Sequence, residues 1–543
     1  MQRLALTLST LTGWRRMGVA FVAGAVSVLA VAPYHYWPVM LATFPVLIWL
    51  LDGCFSSPDR SWRVSRAELM AAAQTGWAFG FGYFLAGLYW IGFAFLVEAD
   101  IFAWLLPIAV TLMPAGLALF FAAAAVIAGP MWRPGTARLI GFAIALGLTE
   151  WLRGQVFTGF PWNVPGYALT GSDAMMQWAS VFGVNGLTLF AVLIFSSPAV
   201  LWAVEEMRSS TRGERFGTPI LMALLLAGGT AWGYWRLQSN EIQFVDGVNL
   251  RLVQPNIPQE EKWKQENRAA IFQQLMSVSR KGASSGKIDG VTHLIWPESA
   301  LPFLLEETPE ALDAISAMMP SGSVFITGAA RAKRDGINTG GQTKSLKIFN
   351  SLFVLDNMSQ LLSYYDKVHL VPFGEYLPFQ DFMESIGLEQ LARLRGGFAS
   401  GSGSRLTVAP NIPPFIALIC YEIIFPGAIR ERGPTPGWML NLTNDAWFGN
   451  SAGPRQHFHH ARIRAVEEGL PLVRVANNGI TAIVGPYGRI DSRLPRNSAV
   501  ALDSGLPRAV AKTIFVRWGG VAFGLIILIY ISVWRVLEKY FVY

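Results

Sequence analysis

The sequence predicts a polytopic α-helical membrane domain of eight transmembrane helices joined to an extracytoplasmic α/β domain. Three observations predict it. Of 543 residues, 52% are hydrophobic and only 15% are charged, against roughly 25% charged in an average soluble domain. Such a chain is neither an ordinary cytosolic enzyme nor disordered. The charge is also unevenly spread: residues 1–237 hold 23 charged side chains and no lysine, 238–517 hold 53, and the last 26 residues hold three. Finally, eight apolar stretches approach the ~20 residues needed to cross a hydrocarbon core. The predicted organisation is seven spans in 1–237, a globular domain in 238–517, and an eighth span with a short tail in 518–543.

The spans are expected near 17–33, 38–52, 68–96, 102–129, 137–155, 174–204, 216–236 and 518–536. The second is short and leans on Trp37 and Trp49 as interface anchors. Basic residues orient the set, because Lys and Arg near span ends stay cytoplasmic. With the N-terminus inside, the inner segments carry Arg3, Arg15, Arg16, Arg60, Arg63, Arg66, Arg133, Arg138, Arg208, Arg212, Arg215, Arg535 and Lys539. The outer loops 34–37, 97–101 and 156–173 carry none, with Arg153 near an outer helix end. Residues 238–517 then lie outside the membrane. The net charge of +7 reads as topology, and no nucleic-acid partner is expected. Arg15-Arg16 reads as the flank of an uncleaved first span rather than an export signal, since six more spans follow.

From residue 248 the pattern changes to short β-rich runs between polar helices and turns. Strands are predicted at 249–254, 292–296, 323–328, 349–355, 415–420, 438–442, 472–476 and 481–485, and helices at 259–280 and 455–468. Alternating strands and helices indicate covered sheets.

Two cysteines cannot meet: Cys54 ends the second span and Cys420 ends the apolar run FIALIC in the outer domain. A lone thiol on an oxidising side of the membrane is either a buried strand cysteine or a nucleophile. Two other groups close strands in the same way, Glu298 in LIWPES, after Pro297 stops pairing, and Lys367 in YYDKVHLVPFGE. A carboxylate, an amine and a thiol at strand ends fit nucleophilic acyl transfer. Glu298 takes the thiol proton, Cys420 attacks a carbonyl, and Lys367 stabilises the oxyanion. A nearby lysine is expected to lower the thiol pKa and make thiolate accessible at neutral pH.

Ordered motifs run through the chain: QPNIPQ at 254–259, WPES at 296–299, YDKVHLVPFGEYLPF at 365–379, ICYE at 419–422, NDAWFG at 444–449, GPRQH at 453–457 and RVANNGITA at 474–482. On these residues the chain resembles the apolipoprotein N-acyltransferases, the membrane-embedded branch of the nitrilase (carbon–nitrogen hydrolase) superfamily. The resemblance covers essentially the whole chain. It implies an αββα sandwich for the outer, nitrilase-like domain and a Glu-Lys-Cys triad at Glu298, Lys367 and Cys420. It implies transfer of an acyl chain from a phosphatidylethanolamine-like phospholipid, through a cysteine thioester, to the α-amino group of the diacylglyceryl-modified N-terminal Cys of an apolipoprotein. It further implies supporting or substrate-binding roles for Glu375, Glu422, Tyr421 and Trp263, with no cofactor. The implied location is a bacterial inner membrane, with the outer domain in the periplasm.

Around the triad, Asn444, Asp445 and the GPRQH segment are expected to build a loop beside Cys420, and Asn444 and Trp447 are further candidates for a supporting or substrate-binding role. His457, His459 and His460 with Asp445 lack a recognised ligand spacing, and no metal is expected. The stretch 374–404, apolar and then glycine-rich in GGFASGSG, reads as a lid with flexible hinges. FPWNVPGY at 160–167 reads as an interfacial segment and Glu150 as a snorkelling carboxylate at a membrane rim. A membrane-tethered amidase with the same triad is the alternative enzyme, and a non-enzymatic lipoprotein scaffold is a third reading. A transporter is disfavoured because no span shows paired charges.

Overall fold

The computed structural model describes every residue except 56–63, 205–206, 209–210, 282–287, 338–342, 386, 393–395, 428–433 and 540–543. Arg60 and Arg63, two of the residues used for orientation, lie outside the described residues. The chain forms two compact units: one comprises residues 1–92, 104–241 and 512–543, and the other residues 93–103 and 242–511.

Five described helices, lying wholly or mostly in the first unit, are long and apolar enough to cross a bilayer: Arg66–Leu96, Ala99–Met131, Ala179–Trp202, Arg212–Gln238 and Gly520–Glu538. The other three expected spans are shorter helices. Gly13–Ser27 has 15 residues and passes into a 3-10 turn, Trp37–Asp52 is similarly short, and Ala137–Arg153 has 17. At 1.5 Å per residue a 17-residue helix reaches only ~26 Å. Close packing uses glycine at helix crossings. A Cβ on Gly24 would stand 1.9 Å from the Phe79 carbonyl oxygen, and one on Gly82 2.0 Å from that of Phe21.

Two readings of this unit are corrected. Paired charges are present: Arg138 meets Asp52 at 2.9 Å, both fully buried. Glu150 does not snorkel but pairs with Arg153 at 2.5 Å, and Arg153 also donates to the Phe160 and Trp162 carbonyls. Asp52 and Arg138 close and open different helices, so only the tertiary fold brings them together. The FPWNVPGY segment is largely buried within the protein, with Trp162 buried and stacked on Phe160 at 5.8 Å.

The second unit contains two six-stranded sheets. The first has the order β12-β1-β2-β3-β4-β5, built from β1 (Phe244–Gln254), β2 (His293–Ile295), β3 (Val324–Ile337), β4 (Thr343–Asp356), β5 (Leu361–Asp366) and β12 (Val500–Pro507). The second has the order β11-β10-β9-β8-β7-β6, built from β6 (Leu406–Thr407), β7 (Phe415–Ile419), β8 (Trp438–Thr443), β9 (Leu472–Ala476), β10 (Ala482–Val484) and β11 (Ile490–Arg493). Each sheet holds three parallel strands, β1-β2-β3 and β7-β8-β9, flanked by antiparallel partners.

Alternation along the strands sets the layers. Leu250, Leu252, Ile326, Leu352 and Val354 of the first sheet pack with Phe415, Ile419, Leu440, Leu442 and Val475 of the second. Each fully buried side chain of this kind contributes about 1.5–3 kcal/mol. Phe325, Phe353 and Leu355 point the other way, into a core shared with Ile271 and Leu275 of helix Arg268–Arg280 and Ile315 of helix Pro309–Met318. The helix predicted at 259–280 is interrupted, with a short turn at Gln259–Lys262 before the main segment. Strands β5, β6, β11 and β12 and helix Pro309–Met318 were not anticipated.

Candidate functional site

Several of the side chains singled out in the sequence follow the C-terminal ends of strands, where open α/β sheets leave crevices. Cys420 comes directly after β7 and opens the 3-10 turn Cys420–Ile424. Its φ is +50°, a left-handed backbone that a residue with a Cβ adopts only when its surroundings impose it. Glu298 follows β2 and Pro297. Gly328 on β3 allows the close approach there, since a Cβ on it would lie 2.6 Å from Glu298 Cα. Lys367 leaves β5, its N–H donating to the Asn350 carbonyl at 2.9 Å.

The charged groups form one buried cluster. Lys367 Nζ donates to Glu375 Oε1 at 3.0 Å and lies 2.9 Å from Glu375 Oε2 and 3.7 Å from Glu298 Oε1. Asn350 Nδ2 bridges the two carboxylates, at 2.8 Å from Glu298 Oε1 and 2.9 Å from Glu375 Oε1. The Val371 N–H caps Glu375 Oε2 at 2.8 Å. Burial pushes the Glu298 carboxyl upward, with Lys367 pulling back. Burial acts to lower the Lys367 ammonium, but Glu375 and then Glu298 outweigh it and the net shift is upward.

Cys420 is 8% exposed, and burial followed by the Glu298 charge raises its thiol against the opposing pull of Lys367. The expectation of a thiolate at neutral pH is therefore corrected. Desolvation outweighs the lysine, and the thiol is raised rather than lowered.

Glu422 is a fastener. Its Oε1 accepts from Tyr365 Oη at 2.7 Å and from the N–H groups of Val368 and His369 at 3.1 and 3.0 Å, and its Oε2 accepts from the Ile419 N–H at 2.8 Å. One carboxylate thus ties the Lys367 segment to the strand end that presents Cys420. Tyr421 packs with its ring 5.1 Å from Phe425 and 5.8 Å from His369.

Asn444 binds inward, donating to Gln259 Oε1 at 2.6 Å and accepting from Asn477 Nδ2 at 3.0 Å. It joins the QPNIPQ, NDAWFG and RVANNGITA segments. Trp263 is 46% exposed and Trp447 is half-buried; neither is held against the charged cluster by a hydrogen bond. Among the described residues between 374 and 404 only the short helix Gln380–Ser385 is regular, and Phe379 and Phe382 are exposed. The glycine-rich run is docked rather than hinged. Phe398 N–H donates to the Glu375 carbonyl and Gly401 N–H to that of Lys367, both at 2.8 Å. Gly401 is required by proximity, since a Cβ there would meet the Asp366 carbonyl oxygen at 2.2 Å.

Two residues beside Glu298 were missed, the bridging Asn350 and Lys262. Lys262 is buried, its Nζ donating to the Glu298 main-chain carbonyl at 3.4 Å. Burial draws its ammonium down to about 8, with Glu298 resisting. In the sequence it stands in the charged run QEEK, which resembles any solvated turn.

Paired sheets with a carboxylate, an amine and a thiol at or near strand ends define the class, a nitrilase-like domain carried on a helical, membrane-type unit. The carbon–nitrogen hydrolase family model matches residues 249–510, and that of the apolipoprotein N-acyltransferase N-terminal domain matches 23–197. The apolipoprotein N-acyltransferase of Rhodopseudomonas palustris is 46% identical over 521 residues, 96% of this chain and 94% of that protein. Its counterpart from Bradyrhizobium diazoefficiens is 42% identical over 523 residues, 96% and 95% of the two chains. The chain belongs to the apolipoprotein N-acyltransferase family and is an acyltransferase of the carbon–nitrogen hydrolase superfamily. Among solved structures it is similar to an amidase from Neterenkonia sp., at 15% identity and a TM-score of 0.31 over 48% of this chain and 93% of that one. A carbon–nitrogen hydrolase from Helicobacter pylori gives 13% and 0.33 over 48% and 88%. Likenesses this low carry no weight of their own.

Proposed function

We propose that the chain moves an acyl chain from a phosphatidylethanolamine-like membrane phospholipid to the α-amino group of the diacylglyceryl-modified N-terminal Cys of an apolipoprotein, the last step of lipoprotein maturation. The observation that carries the reading is the buried cluster of Glu298, Lys367 and Glu375, in which the Glu298 and Lys367 charges bear on the raised thiol of Cys420. Relatives that match nearly the full chain and bear the N-acyltransferase name support the substrates.

Glu298 accepts the thiol proton as Cys420 Sγ attacks the ester carbonyl. The Lys367 ammonium and the Tyr421 main-chain N–H stabilise the oxyanion. Collapse breaks the ester C–O bond, and Glu298 returns its proton to the departing lysophospholipid oxygen. The acceptor amine then attacks the thioester, loses a proton to Glu298, and forms the amide as that proton passes to the departing Cys420 sulfur. Water must be kept away, because hydrolysis would waste the thioester.

In the same reading the chain crosses a bacterial inner membrane eight times, with domain limits at 1–237, 238–517 and 518–543. The nitrilase-like domain faces the periplasm, where both lipid-anchored substrates lie in the membrane beside it.

Intact-mass measurement after incubation with phosphatidylethanolamine vesicles tests the first half-reaction. A hydroxylamine-sensitive gain of one acyl chain, missing in Cys420→Ser, is expected. No adduct, together with ammonia release from small amides, would move the protein to the hydrolase reading.

Lys262 yields a pH expectation. Lys262→Met removes a cation that faces Glu298, so the carboxyl is raised further and its base form appears only at higher pH. The acidic limb of the pH profile of thioester formation should move up by about one unit. An unmoved limb separates Lys262 from the base.

A further inference from the structure

The oxygen of Cys420 is gripped by two fully buried side chains. Asn441 Nδ2 donates to it at 3.3 Å and His457 Nε2 lies 3.2 Å away. A carbonyl oxygen only accepts, so the His457 proton at that contact sits on Nε2. His457 is held in turn. Its Nδ1 lies 2.9 Å from Asp445 Oδ1 and 3.1 Å from Arg474 Nη2. Arg474 Nη2 donates to Asp445 Oδ2 at 2.9 Å, and its Nη1 donates to Asn441 Oδ1, which fixes which way the Asn441 amide faces. Thr443 Oγ1 adds a donor to Asp445 at 3.2 Å. Asn441, Asp445, His457 and Arg474 are all essentially excluded from solvent.

Two buried donors meet on this carbonyl, Asn441 Nδ2 also reaching the Leu418 oxygen at 3.2 Å, and the desolvated groups that hold them are costly unless the direction of the Cys420 carbonyl matters. The peptide joining Cys420 to Tyr421 is planar, and in a trans peptide C=O and N–H point opposite ways. Holding the Cys420 oxygen on the interior side therefore turns the Tyr421 N–H to the other side. The grip acts on a residue whose φ is +50°, a conformation that persists only where neighbours over-determine it.

We infer that Asn441 and the Asp445–His457–Arg474 group are positioning residues that aim the Tyr421 N–H at the oxyanion formed when Cys420 is acylated. The inference rests on Cys420 being the acylated nucleophile. Neither His457 nor Asn441 touches substrate; each acts through the peptide it holds.

The test compares acylation with alkylation of the same thiol in the full-length protein. Alkylation by iodoacetamide develops no oxyanion, whereas acylation by p-nitrophenyl butyrate or by phosphatidylethanolamine vesicles does. In His457→Leu the acylation rate should fall about 10²-fold, the loss typical of one oxyanion donor. KM should stay within about twofold and alkylation within about threefold. His457→Gln, which retains an N–H donor, should recover most of the loss. Parallel falls in alkylation and acylation, no recovery with Gln, or an unaltered acylation rate in the Leu variant would overturn the inference. Should His457→Leu not fold, Asn441→Ser removes the other donor and carries the same expectation. Wild-type protein that is acylated by the chromogenic ester but not by the vesicles refutes the phospholipid reading and leaves this inference to be decided by the ester.

Discussion

Replacement of Cys420 by alanine is expected to abolish the acyl adduct and reduce acyl transfer by about 10⁴-fold or more, as removal of a nucleophile does where the remaining groups cannot substitute for it. The fold should survive. The side chain is small, sits in the inter-sheet core, and leaves little cavity when its sulfur is removed. Alanine meets the same φ of +50° with no greater strain than cysteine, and the grip of Asn441 and His457 on the main chain is untouched. Intact mass reads the adduct, a lipoprotein mobility assay reads transfer, and thermal melting reads the fold. Transfer persisting at the wild-type rate in a folded Cys420→Ala protein would sink the thioester mechanism and revive a scaffold role.

Lys367→Met is expected to lose about 10³-fold in thioester formation and, unlike Cys420→Ala, to destabilise the protein by about 3–5 kcal/mol. From the sequence alone a Lys367→Ala change should remove transfer and spare the fold. Burial alters that expectation. The ammonium lies between Glu298 and Glu375 in the interior, and without it two desolvated carboxylates share the Asn350 amide. One must bind a proton, so Glu298 fails as a base in addition to the loss of the oxyanion cation.

The pH dependence follows from the upward shift of Lys367. A lysine raised on folding contributes stability in full below its unfolded pKa and loses it only as pH climbs through the higher folded value. The lysine itself adds no pH dependence from pH 6 to 9. The carboxyl proton that Lys367→Met takes up on folding is harder to hold as pH rises, so the gap between wild type and variant should stay level or widen across that range. A gap that closes within that range would mean that the ammonium is not held by its carboxylates.

The site was readable to the extent that its chemistry sits at strand ends marked by local signals. FIALIC announces a buried strand ending in a thiol, and the proline of WPES stops a strand at a carboxylate. Lys262 was not readable, because a charged turn and a buried lysine beside Glu298 share the same letters. The helix Gly453–Glu468 shows the same limit. Its Gln456, His457, Arg464 and Glu467 suggest a solvated face, yet all are buried, with Arg464 and Glu467 paired at 3.1 Å. A buried polar residue becomes plausible only when its partner is known, and here the partners come from other strands or the next turn.

By itself the sequence determined the apolar and globular division of the chain, the core strands, and the three residue types proposed to carry the chemistry. Those follow from hydropathy, period and strand-end punctuation, which are local along the chain. Only the tertiary structure decided that the Cys420 thiol is raised rather than lowered, that Glu422 fastens the Lys367 segment to the β7 end, and that His457 holds a carbonyl. Each depends on which groups share a water-free volume, and desolvation and pairing are set by neighbours in space, not by neighbours in sequence.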